Sequence, residues 1–294
     1  MNRLSYNPFS LENKTFLVTG ASSGIGRSIA VECSRLGASV YITARNEERL
    51  CKTLSQMEGE GHQMILSDLS EEGDIDLLVN KLPPLDGVVH CAGIQERMLC
   101  KMLKSSDIEN IMAINFNAPI LLQRTLLRKK KISKGASIVF IASRAAFAPT
   151  VGNALYAASK GAILSYAKVL GLELASRQIR VNSICPAMVW TDLTRKDETK
   201  TGADYNEVQK SYPLQRYGKP EDILQQLIGQ KATHVIIDHW FRHAYYTLYP
   251  LISTHYPEKF KFVGKFESRG AQQEPPTLIF EFHPDWTKPE TNAQ

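Results

Sequence analysis

Between Lys14 and about Arg180, short β-branched apolar runs alternate with longer amphipathic stretches. The runs at 15–19, 39–43, 63–67, 87–90, 137–141 and 180–184 predict strands. Stretches such as 26–36, 47–57, 106–128 and 154–176 carry apolar positions at helical spacing and predict helices between them. Continuously apolar strands alternating with helices describe a parallel sheet covered on both faces, so the expected fold class is α/β. The expected architecture is a Rossmann-like, doubly wound, three-layer arrangement. Ligands of such sheets sit at the carboxyl ends of the strands.

After Gly229 the pattern changes. Residues 233–294 hold twelve of the aromatic residues and five of the seven histidines, but no cysteine. A strand at 234–238, a helix over about 240–254 and strands near 259–266 and 277–282 predict an aromatic-rich α+β segment. The expected division is therefore a first domain over 1–230 that carries the α/β pattern and the candidate chemistry described below, and an atypical segment over 231–294. In one arrangement the 234–238 strand completes the parallel sheet and a βαββ-like unit follows; in the other the tail is an unrelated graft. His239 and His243 stand four apart, but no supporting ligand set accompanies them, and no metal site is expected. Trp240, Tyr245, Tyr246 and Tyr249 read as a packing face.

Composition narrows the classes. At 294 residues, 43% hydrophobic and 22% charged, the chain describes an ordinary globular protein. No apolar run approaches the roughly 20 residues of a membrane span, and residues 1–8 lack the apolar core of a signal peptide. Five cysteines without metal spacing predict reduced thiols in a cytoplasmic protein. A net charge of +5 is too mild for a dedicated nucleic-acid binder, though a local basic patch for an acidic partner remains compatible with it.

Three groups of residues carry candidate chemistry. The first strand runs into Thr19-Gly20-Ala21-Ser22-Ser23-Gly24-Ile25-Gly26, which opens a helix. Small residues there let the backbone approach a pyrophosphate, and the helix N-terminus supplies N–H donors. The second strand ends at Thr43-Ala44-Arg45-Asn46. An arginine in place of an acidic residue accommodates a 2′-phosphate and favours NADP(H) over NAD(H). Tyr156 and Lys160 lie four apart, on one face of a helix. A free phenol titrates near pH 10, and a neighbouring ammonium is expected to pull that value down. Ser143, on a separate segment, can hydrogen-bond a substrate oxygen.

Taken together, these residues resemble the short-chain dehydrogenase/reductase family over about 11–222. Thr19 to Gly26 match its glycine motif, with Gly20, Ser22, Ser23, Gly24, Ile25 and Gly26 around the cofactor. Asp68, followed by Leu69, matches the aspartate that contacts adenine, and Asn115 the asparagine that anchors a proton-relay water. Ser143, Tyr156 and Lys160 match the catalytic serine, tyrosine and lysine. Cys91, Ala92 and Gly93 fall beside the cofactor, and Pro186, Val189 and Thr191 in the segment that fixes the nicotinamide carboxamide. The resemblance implies hydride transfer to a carbonyl, with Tyr156 as proton donor, Ser143 holding the oxygen and Lys160 binding the nicotinamide ribose.

The stretch Cys91 to Leu99 is similar to that of 3-oxoacyl-acyl-carrier-protein reductases, enzymes of fatty acid biosynthesis. Arg128, Lys129, Lys130, Lys131 and Arg177 fall where those enzymes dock the acidic carrier protein. The implied partners are a small carbonyl or alcohol substrate and that carrier. The chain departs from the pattern at His90-Cys91, where Asn-Asn is usual, at Ala187, where glycine is usual, and in the tail. The final helix and strand commonly form the family's oligomer contact, so the tail bears on any homo-oligomer. An alternative reading is a catalytically impaired nucleotide-binding or regulatory protein, or a fusion whose tail binds a partner.

Overall fold

The computed structural model describes residues 9–212 and 214–223, together with strand backbone at 234–237, 260–266 and 277–282. The chain divides into two compact units, Met1–Leu224 and Gln225–Gln294.

The first unit opens with β1 (Thr15–Thr19), α1 (Gly24–Arg35), β2 (Ser39–Ala44), α2 (Glu47–Leu54), β3 (Gln63–Leu66), α3 (Glu72–Lys81) and β4 (Leu85–His90). It continues through α4 (Ser105–Met112), α5 (Ala118–Arg128), β5 (Ile132–Ile141), α6 (Ala154–Leu174), β6 (Arg180–Ile184), α7 (Asp192–Thr201) and the short α8 (Tyr205–Val208). Six strands pair in parallel in the order β3-β2-β1-β4-β5-β6. The chain winds outward from β1 to one edge, then returns to lay β4 on the other side of β1. This reversal opens a crevice beyond the carboxyl ends of β1 and β4, where such sheets hold their ligands.

Alternation along the strands divides the core between the two faces. Leu17, Val88, Ile138 and Phe140 join Ile75 and Leu78 of α3, Leu122 and Leu126 of α5, and Ile163 and Leu170 of α6 in one buried cluster. The neighbouring positions Val18, Val40, Ile42 and Val89 are buried as well. Burial on both faces is the reason the central strands read as apolar runs, while the edge strands β3 and β6 keep exposed positions.

Two predicted elements differ. The helix expected over 106–128 is interrupted by a π turn at Ala113–Asn117, where the Ala118 N–H bonds to the Ala113 carbonyl. Pro119 has no N–H to return to the Asn115 carbonyl, so the regular ladder cannot pass this point. The fifth strand begins at Ile132, earlier than expected, because Ile132 pairs with Leu85 before an irregular stretch and the main register Gly87↔Ser137.

In the second unit, β7 (His234–Ile237), β8 (Phe260–Phe266) and β9 (Thr277–Phe282) form an antiparallel sheet in the order β7-β9-β8. The strand expected near 234–238 thus pairs with β9 in a sheet of its own. The helix expected over 240–254, with His239, His243 and the aromatic face, lies outside the described residues.

Candidate active site

Thr19 closes β1 and ties it to the end of β4: its Oγ1 accepts from the Cys91 N–H at 3.0 Å and the Ala92 N–H at 3.2 Å. This brings the glycine turn against the 91–93 backbone. Gly20 has φ +63°, and a Cβ there would stand 2.8 Å from Ala92 Cα and N. A Cβ on Gly26 would stand 2.4 Å from the Gly20 carbonyl oxygen. Only glycine permits this close approach. Ser23 occupies the N-cap of α1 but makes no side-chain cap bond, which leaves the first-turn N–H groups available to an anion. Arg27 braces the turn from behind, donating to the Ser22 carbonyl and, at 3.0 Å, to Thr53 Oγ1.

At the end of β2, Arg45 Nη1 stands 3.6 Å from Asp68 Oδ2, and both side chains are well exposed. Asp68 Oδ1 also accepts from Ser70 Oγ at 2.6 Å and the Ser70 N–H at 3.1 Å. The Ser70 hydroxyl first, and Arg45 beside it, hold the Asp68 carboxyl below the usual range. Arg49 Nη1, on the first turn of α2, stands 3.7 Å from Asp192 Oδ2. The sequence reading missed Arg49, although its spacing of four from Arg45 is a visible signal. Ser67 Oγ is buried without a hydrogen-bond partner at this end of the crevice.

At the other end, Ser143 follows β5 and its Oγ accepts from the Ala145 N–H at 3.1 Å. Tyr156, on the first turn of α6, is half-buried and lies beside Ser143. Burial raises the Tyr156 phenol above its ordinary pKa, and the neighbouring Ser143 hydroxyl opposes that rise. One turn on, Lys160 is 6% exposed; its Nζ donates to the Ile141 carbonyl at 2.8 Å and lies 5.8 Å from the Tyr156 ring centroid. Desolvation pushes the ammonium down to about 8. The expected depression of the phenol by Lys160 is therefore absent. Burial dominates at both groups, and Lys160 is directed to a backbone carbonyl.

Asn115 is buried at the π turn, and it is the one expected site residue that does not line the crevice. Its Oδ1 accepts from the Ile94 N–H at 2.8 Å, while Nδ2 donates to the Ile94 carbonyl at 2.9 Å and to Ser159 Oγ at 3.0 Å. It fastens the segment after β4 to the helix that carries Tyr156. His90 also lies off the crevice, stacked on Phe140 at 4.6 Å and bonded through Nε2 to Gln123 Oε1 at 3.0 Å.

All the other expected residues converge on one crevice of about 610 Å³: the glycine turn, Arg45, Asp68, Leu69, Cys91 to Gly93, Ser143, Tyr156, Lys160, Pro186, Val189 and Thr191. Sequence reasoning missed Asn153, Arg97 and Asp197, which line the same space. The glycine cradle, the open helix N-terminus and the unpartnered Ser67 hydroxyl fit a dinucleotide. Among the described residues no cluster of metal-ligating side chains occurs.

A crevice so built, at the strand-order reversal of a parallel sheet, belongs to the dinucleotide-binding α/β oxidoreductases. The model of the short chain dehydrogenase family matches residues 14–202, and the chain belongs to that family. It is an NAD(P)-dependent oxidoreductase. It is similar to the 3-oxoacyl-acyl-carrier-protein reductase of Rickettsia felis, 33% identical over 213 residues, or 72% of this chain and 87% of the relative. Among solved structures, a dehydrogenase/reductase from Sinorhizobium meliloti 1021 has a TM-score of 0.68 and 32% identity, over 75% of this chain and 88% of that one. A variant of actinorhodin polyketide ketoreductase, solved with NADPH, has a TM-score of 0.66 and 28% identity, over 74% and 91%. These likenesses favour the enzyme over the regulatory alternative. Among the described residues no helix is long and apolar enough to cross a membrane.

Proposed function

We propose that the chain is an NADPH-dependent reductase that converts the carbonyl of a 3-oxoacyl thioester or a small ketone into an alcohol. The observation that carries this reading is the half-buried Tyr156 phenol beside Ser143 and one helical turn from the buried Lys160 ammonium, at one end of a glycine-lined crevice, with Arg45 and Arg49 at the other. The reduced nicotinamide, when bound, supplies the hydride to the carbonyl carbon. Ser143 holds the carbonyl oxygen, and Tyr156 gives that oxygen its proton as charge develops there. A phenol whose pKa is raised stays protonated across the neutral range, which suits donation in the direction of reduction. Lys160, still mostly charged at neutral pH, would hydrogen-bond the cofactor ribose, with the Ile141 carbonyl holding its ammonium in place. Asn115 keeps α6 and the 94 backbone in register around this pair.

Arg45 and Arg49 would take the 2′-phosphate, which supports NADP(H) over NAD(H). The 3-oxoacyl substrate rests on the relatives' names. Of the basic residues proposed to dock a carrier protein, Lys129 is paired with Asp76 at 2.6 Å, and Lys131 and Arg177 donate to the Leu82 and Ile132 carbonyls. That engagement leaves the small-ketone substrate as an equal arm of the proposal. None of the five cysteines forms a disulfide, and a cytoplasmic setting belongs to the same reading.

The test is NADPH consumption with an acetoacetyl thioester, with and without its carrier protein, and with a panel of small ketones. Turnover on either class supports the proposal, and the better substrate names the class. Cofactor binding without turnover on any carbonyl overturns it.

A further inference from the structure

The segment that follows β6 is a flap with its own small core. Tyr217 is 2% exposed, and the rings of Trp190, Tyr205 and Tyr212 lie 5.3, 5.9 and 5.1 Å from it. The flap begins on the glycine turn, since a Cβ on Gly24 would stand 3.2 Å from Thr191 Cγ2. The first turn of α7 then lines the crevice. Among the described residues, two ion pairs join this flap to the rest of the unit. Arg49–Asp192 is exposed on both sides and spans 3.7 Å, so solvent screens it heavily. Arg97–Asp197 is different: Nε donates to Oδ1 at 2.6 Å, and the Asp197 side chain is only 5% exposed.

Around this pair three separate segments meet. Arg97 lies in the loop after β4, and its Nη1 also donates to Thr150 Oγ1 at 3.0 Å and to the Val151 carbonyl at 3.1 Å. Next to it the Met98 N–H bonds to the Gly152 carbonyl at 2.8 Å. Residues 150–153 lead directly into α6, where the Ala157 N–H bonds back to the Asn153 carbonyl at the turn that carries Tyr156. From the flap side, Tyr205 OH donates to the second Asp197 oxygen at 2.6 Å. One buried carboxylate thus receives a donor from the β4 loop and a donor from the flap. A fork-shaped guanidinium makes this joint directional in a way that a point charge would not.

We propose that Arg97 and Asp197 are positioning residues that latch the flap across the crevice and hold the lead-in to Tyr156 while cofactor and substrate are bound. Because α7 lies over the cofactor end and residues 150–153 over the catalytic end, the latch couples cofactor retention to the placement of the phenol. This rests on the crevice being the NADPH and carbonyl site proposed above. Binding of NADPH and protease sensitivity are therefore read apart from turnover, so that failure of either reading shows separately.

The experiment compares Arg97→Gln, Asp197→Asn, the double variant, Arg97→Lys and Tyr205→Phe with the full chain, using NADPH titration and limited trypsin digestion. Trypsin reports on α7 through Arg195, Lys196 and Lys200. Each neutral single variant is expected to weaken NADPH binding at least about tenfold and to speed cleavage in α7 by a similar factor. The double variant, in which two amides face each other, is expected to be no worse than either single one, as coupled partners behave. Arg97→Lys keeps the charge and the fold but loses the fork, and is expected to fall between. Tyr205→Phe is expected to change both readouts two- to fivefold. Cofactor affinity and cleavage equal to the parent in Arg97→Lys and Tyr205→Phe, or losses that multiply in the double variant, would overturn the latch. A carbonyl reductase with unaltered NADPH binding in every variant would refute the latch alone.

Discussion

The two ends of the crevice use charge in opposite ways. At the Arg45 end, the charged side chains are exposed and paired at 3.6 and 3.7 Å. At the Tyr156 end, Lys160 is buried and donates to the Ile141 carbonyl at 2.8 Å, and the half-buried Tyr156 lies beside Ser143. Exposed ion pairs contribute little and are screened by salt, so the first end can exchange its internal partners for a ligand phosphate at small cost. Desolvation dominates the second end, raising the Tyr156 phenol and lowering the Lys160 ammonium. Under the proposed function, loose charges at one end and desolvated groups at the other predict different mutational costs.

The largest cost falls on the phenol. Tyr156→Phe should lower turnover by about 10²–10⁴ while leaving NADPH affinity within a few-fold of the parent, because it removes the proton donor and little else. Steady-state kinetics beside a cofactor titration measures both, and near-normal turnover would remove the central assignment. Next comes the glycine turn. In Gly20→Val a side chain meets the Ala92 backbone at 2.8 Å in a left-handed conformation, at a backbone cost of roughly 1–2 kcal/mol before the clash is counted. NADPH affinity should fall by more than about tenfold and the melting temperature should drop. A variant that binds NADPH normally would mean that the turn does not cradle the cofactor.

The buried end also predicts a pH signature. Lys160 is pushed down to about 8 by burial, from an ordinary value of 10.5. As pH rises through about 8, the native protein loses this charge, and the kcat/KM for reduction should fall as the ammonium that holds the cofactor ribose is lost. Stability runs the other way. Between about 8 and 10.5 the unfolded chain binds a proton that the native chain does not, so unfolding free energy from this group rises with pH across that window. Below about 8 both states carry the proton and the contribution is constant. A kcat/KM profile flat from pH 7 to roughly 9 would show that the lysine charge is not used.

Much of this was legible beforehand, for reasons that differ along the chain. Central strands such as Thr15–Thr19 matched their apolar runs because a sheet covered on both faces leaves little room for alternation, while the edge strand Arg180–Ile184 kept exposed polar positions at Arg180 and Asn182. The glycine turn was legible because its geometry excludes side chains. The break at Asn115 was missed because the periodicity continues through it; only Pro119, four residues on, betrays the lost hydrogen bond. Arg97 and Asp197 are 100 residues apart, and no local pattern announces a pair that only the packed flap brings together. The Tyr156 pKa was misjudged because spacing places Lys160 on the right face but says nothing of burial or of the Ile141 carbonyl. The expected division near 230 stays a proposal beside the compact units that part at Leu224.

The smallest predicted effect tests the exposed end. Arg45 is 62% exposed, and its partner Asp68 is held down mainly by Ser70. Arg45→Ala should therefore leave the fold and the Asp68 bonds to Ser70 intact. Its whole effect should appear as a loss of preference for the phosphorylated cofactor, a few-fold rise in KM for NADPH with little change for NADH. Raising the salt should erase the difference between parent and variant, because the interaction lies within reach of screening ions. Arg49 supplies a second guanidinium on the same edge, so Arg45→Ala/Arg49→Ala should deepen the loss and release Asp192 as well. If the double variant still prefers NADPH at low salt, the charge at this end is not what selects the cofactor. The contrast between a loosely charged end and a desolvated end would then have to be sought in the shape of the crevice around Ser67 instead.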